Sequence, residues 1–542
     1  MKHVVLSPGS RNTPLIVAIS REKKLKKYVI VDERSAAFVA VGIAQQSNKP
    51  VAIVCTSGSA VLNYAPAIAE AKYQHLPIIA ISADRQTEWI DQNDSQTIQQ
   101  TNVLGDLVKR SIDIPAYYEH SDTKRWIYNQ LNDALQTALN GCRGPVHINV
   151  RIKEPLNEQT EKIIAAPIIE HIIPNWKFAD NQIIKLANSI NAYDKIMIVI
   201  TQMQPSATLN KAVNKLAELP QVAVLTESIS NIYGENLVSC IDRTITSYGE
   251  ELSEDYSPEL LVTFGGAPVS RMIKRFLRKH PRTEEWRIGM DSNIIDTMQH
   301  LTCRIETEPE SFLQQIMPYI QPNTKASYRD KWLALSATGK RSHNEIIENA
   351  EWTAMSAFAN IFPTIPNNYR LQLSNGTTIR YAQLFDTYKV ARCDCNRGVS
   401  GIDGSSSTAL GASLASDAPT LLITGDMSFS YDLNAITTQY NHKNFKLIVM
   451  ENGGGGIFRF IPSTDSLPEL EQYCEVKRKF PIKRTAEAFG FTCFEAANIT
   501  ELKERLANLY ACDTPAMLIV HTDAETDTKL LKRYMSRNYK KG

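Results

Sequence analysis

The chain alternates short apolar runs with longer stretches whose apolar positions recur at helical spacing. His3 to Leu6, Tyr28 to Val31, Val51 to Cys55, Pro77 to Ile81 and Val146 to Val150 have the length and apolar character of buried strands. Ser35 to Gln46 and Ser59 to Tyr73 read as helices between them. Apolar strands alternating with helices predict a parallel sheet covered on both faces. From about Pro155 to Trp176 charges and prolines break the pattern, as a linker would. The alternation then returns, with Ile196 to Ile200, Val222 to Leu225 and Leu260 to Phe264 as strands and a polar, helix-prone stretch from about Pro322 to Asn349. It returns again in Val390 to Cys395, Thr420 to Thr424, Lys446 to Met450 and Ala516 to His521, with Ser407 to Leu414 and Tyr431 to Gln439 as helices. The predicted architecture is α/β, with three domains over residues 1–165, 180–320 and 345–542, each a mostly parallel sheet with helices on both faces.

Composition narrows the function. A length of 542 residues suits several domains, and a formal net charge of +1 gives no reason to expect nucleic acid or an anionic membrane surface as partner. The 9 cysteines are scattered and only Cys393 and Cys395 lie close together, so no zinc pattern forms and free thiols in a reducing compartment are expected. No apolar run approaches the ~20 residues of a membrane helix. The start, Met1-Lys2-His3, carries no signal-peptide pattern, so a cytoplasmic protein is expected.

In open parallel sheets, ligands bind beyond the carboxyl ends of the strands. Ser7-Pro8-Gly9-Ser10-Arg11-Asn12 follows the first strand and reads either as an anion-binding turn or as an ordinary capped turn. Glu33 ends the second strand, as an acid or base or as a first-turn acid favoured by the helix dipole. Thr56-Ser57-Gly58-Ser59 and Ser82-Ala83-Asp84-Arg85 end the next two. The most specific signal is Gly425-Asp426 after one strand and Asn452 after the next, followed by four consecutive glycines, Gly453 to Gly456. Carboxylate and amide oxygens are hard ligands suited to Mg²⁺, and glycines let main chain approach an ion or phosphate closely. His75, His147 and His442 sit in strand or helix contexts and read as structural or exposed.

Gly425-Asp426 and the later Asn452 resemble the thiamine-diphosphate motif in residue type and spacing, and Glu33 stands where that family has its conserved-position glutamate. Within the family, Ser7 to Asn12, Asp32 to Ser35, Thr56 to Ala60, Ala83 to Arg85, Asn396 to Gly404 and Asn452 to Phe458 are similar to the 2-succinyl-5-enolpyruvyl-6-hydroxy-3-cyclohexene-1-carboxylate (SEPHCHC) synthases, as is Met427 after the Gly-Asp pair. The resemblance covers essentially the whole chain. It implies decarboxylation of 2-oxoglutarate and conjugate addition of the remaining unit to isochorismate, in menaquinone biosynthesis.

What it implies for residues follows from the matched motifs. Glu33 is the catalytic glutamate, hydrogen-bonded to the cofactor's aminopyrimidine and supplied by a neighbouring subunit of a homodimer or homotetramer. Asp426, Asn452 and the Gly454 carbonyl hold Mg²⁺ or Mn²⁺. Gly425, Ser428 and Ile457 contact thiamine diphosphate, and Ile402 is the apolar wedge that bends it. Ser10, Arg11, Arg85, Gln96 and Arg271 meet isochorismate, Arg380 and Arg397 meet 2-oxoglutarate, and Ile457, Phe458 and Ile461 form an apolar wall. Two dicarboxylate substrates suit several arginines, which hold carboxylates by paired hydrogen bonds.

The chain departs from the family pattern in places. Arg271-Met272 keeps one charge of a lysine-arginine pair, Gly376 stands where serine is common, with Ser374 nearby, and the first strand begins almost at once where relatives place a helix, which is expected to leave the first domain less covered. An acetolactate-synthase-like carboligase fits the clustered arginines less well, since pyruvate has one carboxylate. A non-catalytic thiamine-fold protein fits the intact Glu33, Asp426 and Asn452 less well. A nicotinamide dehydrogenase lacks its Gly-x-Gly-x-x-Gly turn here.

Overall fold

The computed structural model of the chain describes residues 1–156, 166–173, 177–248, 252–280, 283–386, 390–461 and 463–536. Its strands form three six-stranded parallel sheets. The first contains β1 (His3–Leu6), β2 (Lys26–Val29), β3 (Val51–Cys55), β4 (Ile78–Asp84), β5 (Ser111–Ile114) and β6 (Val146–Arg151), in the order β2-β1-β3-β4-β6-β5. The second contains β7 (Ile196–Ile200), β8 (Val222–Thr226), β9 (Leu237–Val238), β10 (Leu260–Phe264), β11 (Glu284–Ile288) and β12 (Leu301–Ile305), in the order β12-β11-β10-β7-β8-β9. The third contains β13 (Arg370–Leu373), β14 (Arg392–Cys395), β15 (Thr420–Gly425), β16 (Phe445–Glu451), β17 (Thr492–Ala496) and β18 (Ala516–His521), in the order β14-β13-β15-β16-β18-β17. The first and third sheets therefore share one topology. In each, the chain reverses direction across the sheet beside the opening strand, between β1 and β3 and between β13 and β15. Such switch points open a crevice at the strand ends.

The chain forms two compact units, one of Met1–Pro174, Asn396–Asp417 and Tyr431–Phe445, the other of Asn175–Cys395, Ala418–Ser430 and Lys446–Gly542. In the first, the helix Glu33–Ser47 is apolar or small on nearly every side, and Ser35 through Gln45 are all buried. A helix apolar all round needs cover all round. The sheet supplies one side and the helix Ser405–Leu414 another. The crossing is very close, since a Cβ on Gly42 would lie 1.9 Å from the Thr408 carbonyl oxygen and one on Gly411 2.0 Å from that of Val39. In the second unit, the second and third sheets are joined by Asn231, whose amide donates to the Cys393 carbonyl at 3.0 Å and accepts from the Cys393 N–H at 2.8 Å. Arg243 and Asp386 add a mostly buried ion pair at 3.1 Å.

Several expectations need correction. The second strand is Lys26–Val29 rather than Tyr28 to Val31, because it is an edge strand whose register is set by β1, with His3 opposite Lys26. The fourth strand runs on to Asp84, which is fully buried and bound by the Asn149 amide at 2.8 Å and by Arg151 at 3.2 Å. Gly58–Tyr64 is a 3₁₀ helix before the α-helix Ala65–Tyr73. No helix spans Tyr431 to Gln439, where a helix Asp426–Tyr431 is followed by one 3₁₀ turn, Leu433–Ala435. Asp432 breaks the run, because its buried carboxylate accepts from the N–H and hydroxyl of Ser407 at 2.6 and 2.7 Å. The polar stretch before residue 349 is helical over Tyr328–Glu348, as expected. The linker expected at 155–176 lies partly outside the described residues. Its described part, 166–173, contains no helix or strand and is held by Asn132 and Gln136 of the helix Ser121–Leu139. Among the described residues no helix is long and apolar enough to cross a membrane.

The glycine crossing makes a stability prediction. Gly42→Ala or Gly411→Ala drives a methyl into main chain that cannot retreat, so each should destabilise the protein by about 1–3 kcal/mol. Thermal unfolding should show it as a lowered midpoint, and an unchanged midpoint would mean the crossing is looser than described.

Candidate active site

In the first unit, the ends of β1, β3, β4 and β6 gather four of the expected residues around one point. Gly9 lies against the Thr56 side chain, and the main chain of Gln96 lies against Gly58. Gln100 fixes this arrangement, accepting from the Gly58 N–H at 2.8 Å while its own amide donates to the Ala83 carbonyl and to Asn149. Arg11 is 4% exposed, and its guanidinium reaches the Ile152 carbonyl at 3.1 Å and Glu154 at 2.8 Å. Arg85 approaches the same Glu154 oxygen at 3.5 Å, pairs with Asp94 at 2.9 Å and donates to the Ser95 carbonyl at 3.1 Å. Two arginines that meet on one exposed carboxylate can present paired donors to an acidic ligand. Ser10 and Gln96 are exposed beside them.

Glu33 opens its helix, and Asp32 caps it by accepting from the N–H groups of Arg34 and Ser35 at 2.9 and 3.3 Å. Burial raises the pKa of Glu33, and the Asp32 charge beside it adds to that, against a smaller opposing pull from its own N–H. The start of this helix is pinned on both sides of Glu33. Arg34 donates to the Asp403 and Tyr431 carbonyls and lies 3.5 Å from Asp432, and the Ser35 hydroxyl meets that of Ser407 at 2.7 Å. Burial pushes Asp432 up to about 7.

Arg397 and Ile402 lie half-buried on the loop between β14 and the helix Ser405–Leu414. What anchors that loop lies far away along the chain. Glu70, 1% exposed, accepts from the Gly398 N–H at 2.7 Å and the Val399 N–H at 2.8 Å. A long-range acid on a helix has no local sequence signature, and only the packing identifies it.

In the second unit, Asp426 stands at the end of β15, 7% exposed. One of its oxygens accepts from the Met427 N–H at 2.7 Å, the other from Gly453 and Gly454 at 2.8 and 3.1 Å. Burial pushes its pKa up to about 6, and the Glu451 charge contributes in the same direction. The glycine run has to be glycine here: Gly454 has φ of 155°, and a Cβ on it would lie 2.7 Å from the Glu475 carbonyl oxygen. Glu475 is fully buried, binds the Gly455 N–H at 2.7 Å and grips Arg459 through both carboxylate oxygens. Ser428 is buried, Gly425 has open space before it, and Ile457, Phe458 and Ile461 are half-buried around the short helix Ile457–Phe460.

Arg271 and Arg380 line one cavity of about 1060 Å³, with Phe460 in its wall. The single charge expected at Arg271-Met272 is not alone, because Arg275 and Lys279 follow one and two turns along the same helix face and line the same cavity. Behind them, fully buried Asp242 accepts from the Ser270 hydroxyl and has Arg380 as a charged neighbour. Gly376 has φ of 88°, and nearby Ser374 is buried with its hydroxyl on the Asn375 carbonyl. Of the histidines, His147 is buried between the hydroxyls of Ser82 and Ser111 and lowered to about 4 by burial, His75 is exposed and His442 bonds Ser413. All nine cysteines are free.

Acids and glycine turns at the switch points of two sheets with one topology define a class of protein, and the family comparisons name it. Residues 1–103 match the thiamine pyrophosphate enzyme N-terminal TPP binding domain, and residues 376–520 match the corresponding C-terminal TPP binding domain. Thiamine pyrophosphate, or thiamine diphosphate, is thus the cofactor of its class. The chain is 36% identical to the 2-succinyl-5-enolpyruvyl-6-hydroxy-3-cyclohexene-1-carboxylate synthase of Porphyromonas gingivalis over 99% of its length and 94% of that protein's. It is 37% identical to that of Flavobacterium johnsoniae and 35% to that of Bacteroides thetaiotaomicron, in both cases over 98% of this chain and 95% of the relative. The chain belongs to the SEPHCHC synthase family of thiamine-diphosphate enzymes.

The anchoring of the Arg397 loop can be tested directly. Glu70→Ala leaves the Gly398 and Val399 N–H groups without their acceptor, a loss of about 1–3 kcal/mol. Amide hydrogen exchange at Gly398 and Val399 should accelerate at least tenfold while the strands of the first sheet keep their protection; unaltered exchange at both amides would remove Glu70 as the anchor.

Proposed function

We propose that the chain decarboxylates 2-oxoglutarate and adds the resulting succinyl-semialdehyde unit in conjugate fashion to isochorismate, forming SEPHCHC for menaquinone biosynthesis. The observation that carries this reading is similarity over nearly the full length to enzymes of that name, in a chain whose strand-end acids and glycine turn are intact. When bound, thiamine diphosphate supplies the carbon nucleophile that takes up the 2-oxoacid and lets CO₂ leave. The protein does the rest. Glu33 holds a proton on a carboxylate oxygen to higher pH than a surface glutamate would, because it is partly desolvated, and it offers that proton to a heterocycle nitrogen. Ile402, Gly425, Ser428 and Ile457 shape the cofactor site.

Asp426, Asn452 and the Gly454 carbonyl suit a divalent cation, Mg²⁺ or Mn²⁺. All three offer hard oxygen atoms, and the buried Asp426 carboxylate, which accepts three N–H groups and lies near the Glu451 charge, would gain from a bound cation. Ser10, Arg11, Arg85, Gln96 and Arg271 are assigned to isochorismate, Arg380 and Arg397 to 2-oxoglutarate, and Phe458 and Ile461 to the apolar wall. The free cysteines suit a cytoplasmic enzyme. The assembly is a homodimer or homotetramer in which Glu33 of one protomer serves the cofactor held by Asp426 of another.

Consumption of isochorismate, followed by its ultraviolet absorbance, should require thiamine diphosphate, Mg²⁺ and 2-oxoglutarate together and should fail when pyruvate replaces 2-oxoglutarate. Consumption with pyruvate would shift the reading to another carboligase. Glu33→Gln should bind cofactor normally and lose turnover by about a hundredfold or more, and Asp426→Ala should lose metal-dependent cofactor binding. Mixed and reassociated, these two inactive variants should recover about a quarter of wild-type activity if sites are shared between protomers of a dimer; no recovery would place each site within one chain.

The Asp426 carboxylate sets a pH limit as well. With its pKa raised to about 6, it is ionised above that pH and takes up a proton below it. Proton and cation compete, so Mg²⁺ affinity should be flat above about pH 7 and fall about tenfold by pH 5. Calorimetric titration at both pH values checks this, and equal affinities would take Asp426 out of the cation site.

A further inference from the structure

Arg11 and Arg85 come from different strand ends of the first sheet and meet on Glu154. Both approach the same oxygen, Oε1, Arg11 at 2.8 Å and Arg85 at 3.5 Å. The three side chains differ in their access to water: that of Arg11 is 5% exposed, that of Arg85 17% and that of Glu154 63%. Arg85 has a second carboxylate, Asp94, at 2.9 Å, and the Ser95 carbonyl at 3.1 Å. Arg11 has the Ile152 carbonyl at 3.1 Å, and Glu154 is its only ion-pair partner among the described residues.

A guanidinium removed from water is costly unless a negative charge meets it. Glu154 meets that need for Arg11 in the free protein, yet Glu154 itself lies mostly in water. A carboxylate so exposed loses only its pair when it swings away, since it already keeps most of its hydration. The charges point the same way. Two guanidinium groups face two carboxylates, so the cluster is neutral as it stands and offers an incoming carboxylate no net attraction. With Glu154 out, Asp94 balances Arg85, and the buried Arg11 needs one negative charge, which one substrate carboxylate supplies. We propose that Glu154 is a built-in competitor for the substrate carboxylate: it occupies Arg11 and Arg85 in the free protein, swings into water when isochorismate binds, and so sets the affinity for that substrate. A simple anion in solution then has to outcompete a carboxylate tethered at high local concentration. The proposal rests on the assignment of Arg11 and Arg85 to isochorismate, and it deepens that reading by naming a residue that determines affinity there.

The test reads binding and not turnover. Isochorismate is titrated calorimetrically into the full-length protein with thiamine diphosphate and Mg²⁺ present and 2-oxoglutarate left out. Glu154→Gln removes the competing charge at nearly constant volume and should bind isochorismate about 3- to 10-fold more tightly than wild type. Glu154→Asp keeps the charge but falls one methylene short of Arg11, so it should also bind more tightly, by about threefold. A gain in both variants supports the proposal. No gain in Glu154→Gln overturns it, whether or not the melting temperature falls, since a purely structural role predicts that result. A gain in Glu154→Gln beside wild-type affinity in Glu154→Asp overturns it too, because a charge acting only through its field needs no contact. Should Glu154→Gln fail to fold, Glu154→Asp carries the test alone, where a gain supports the proposal and no gain overturns it. Arg85→Ala separates the two levels: unchanged isochorismate affinity there removes the arginine pair from the substrate site and this proposal with it, whereas a loss there beside no gain in Glu154→Gln removes this proposal alone.

Discussion

Buried carboxylates that accept main-chain N–H groups from far along the sequence recur at every functional edge of this protein. Glu70 holds Gly398 and Val399, Asp432 holds Ser407, Glu227 holds Val269 and Ser270, Asp426 holds Gly453 and Gly454, and Asp527 holds Ala354. A carboxylate out of water is costly unless its lone pairs are used, and N–H groups at helix starts and in glycine turns are the main-chain partners that most need an acceptor. Each such contact meets two demands at once. It also fixes loops whose residues do the chemistry, because a charge-assisted hydrogen bond is shorter and more directional than a neutral one. The arginine loop, the start of the helix Ser405–Leu414 and the glycine turn are all held this way.

This constraint explains the ionisation pattern of the site. Burial raises Glu33, Asp426 and Asp432, but their surroundings differ. Asp432 has a hydroxyl and an N–H within its first contacts and a guanidinium further off, and it serves as a fixed prop. Asp426 accepts main-chain N–H groups on both of its oxygens, from Met427 and from the glycine turn. Glu33 keeps a carboxyl whose desolvation favours a bound proton. Three acids thus acquire three roles from what surrounds them, the general route by which proteins assign acid and base work.

The sequence showed central strands and motif turns clearly, and edges and anchors poorly. Val51–Cys55, Ile196–Ile200 and Leu260–Phe264 were legible to the residue because both faces are buried and the runs are almost wholly apolar. The short or polar edge strands β5, β9, β12 and β17 were not, since one side of each meets solvent or a loop. β11 and β13 are central and were still missed, because Glu285 and Gln372 interrupt their apolar runs with buried side chains that bond to neighbouring strands. At the site, Asp426, Asn452 and the glycines were visible as a pattern at a strand end. Glu70 and Asp527 were invisible, as each acts on a segment far away in sequence and leaves no periodic or local mark. Asp84 also sits at a strand end in a motif, but its carboxylate is taken up by Arg151 and Asn149.

The glycine crossing of Gly42 with Thr408 has a consequence for biosynthesis. The helix Glu33–Ser47 is made early on the ribosome and is apolar or small on nearly every side, but the helix that covers part of it, Ser405–Leu414, is made much later. For most of translation the nascent chain carries this helix without its full cover, in a form prone to bind chaperones or other emerging chains. Truncated products that stop before residue 405 should therefore aggregate rather than persist as folded fragments.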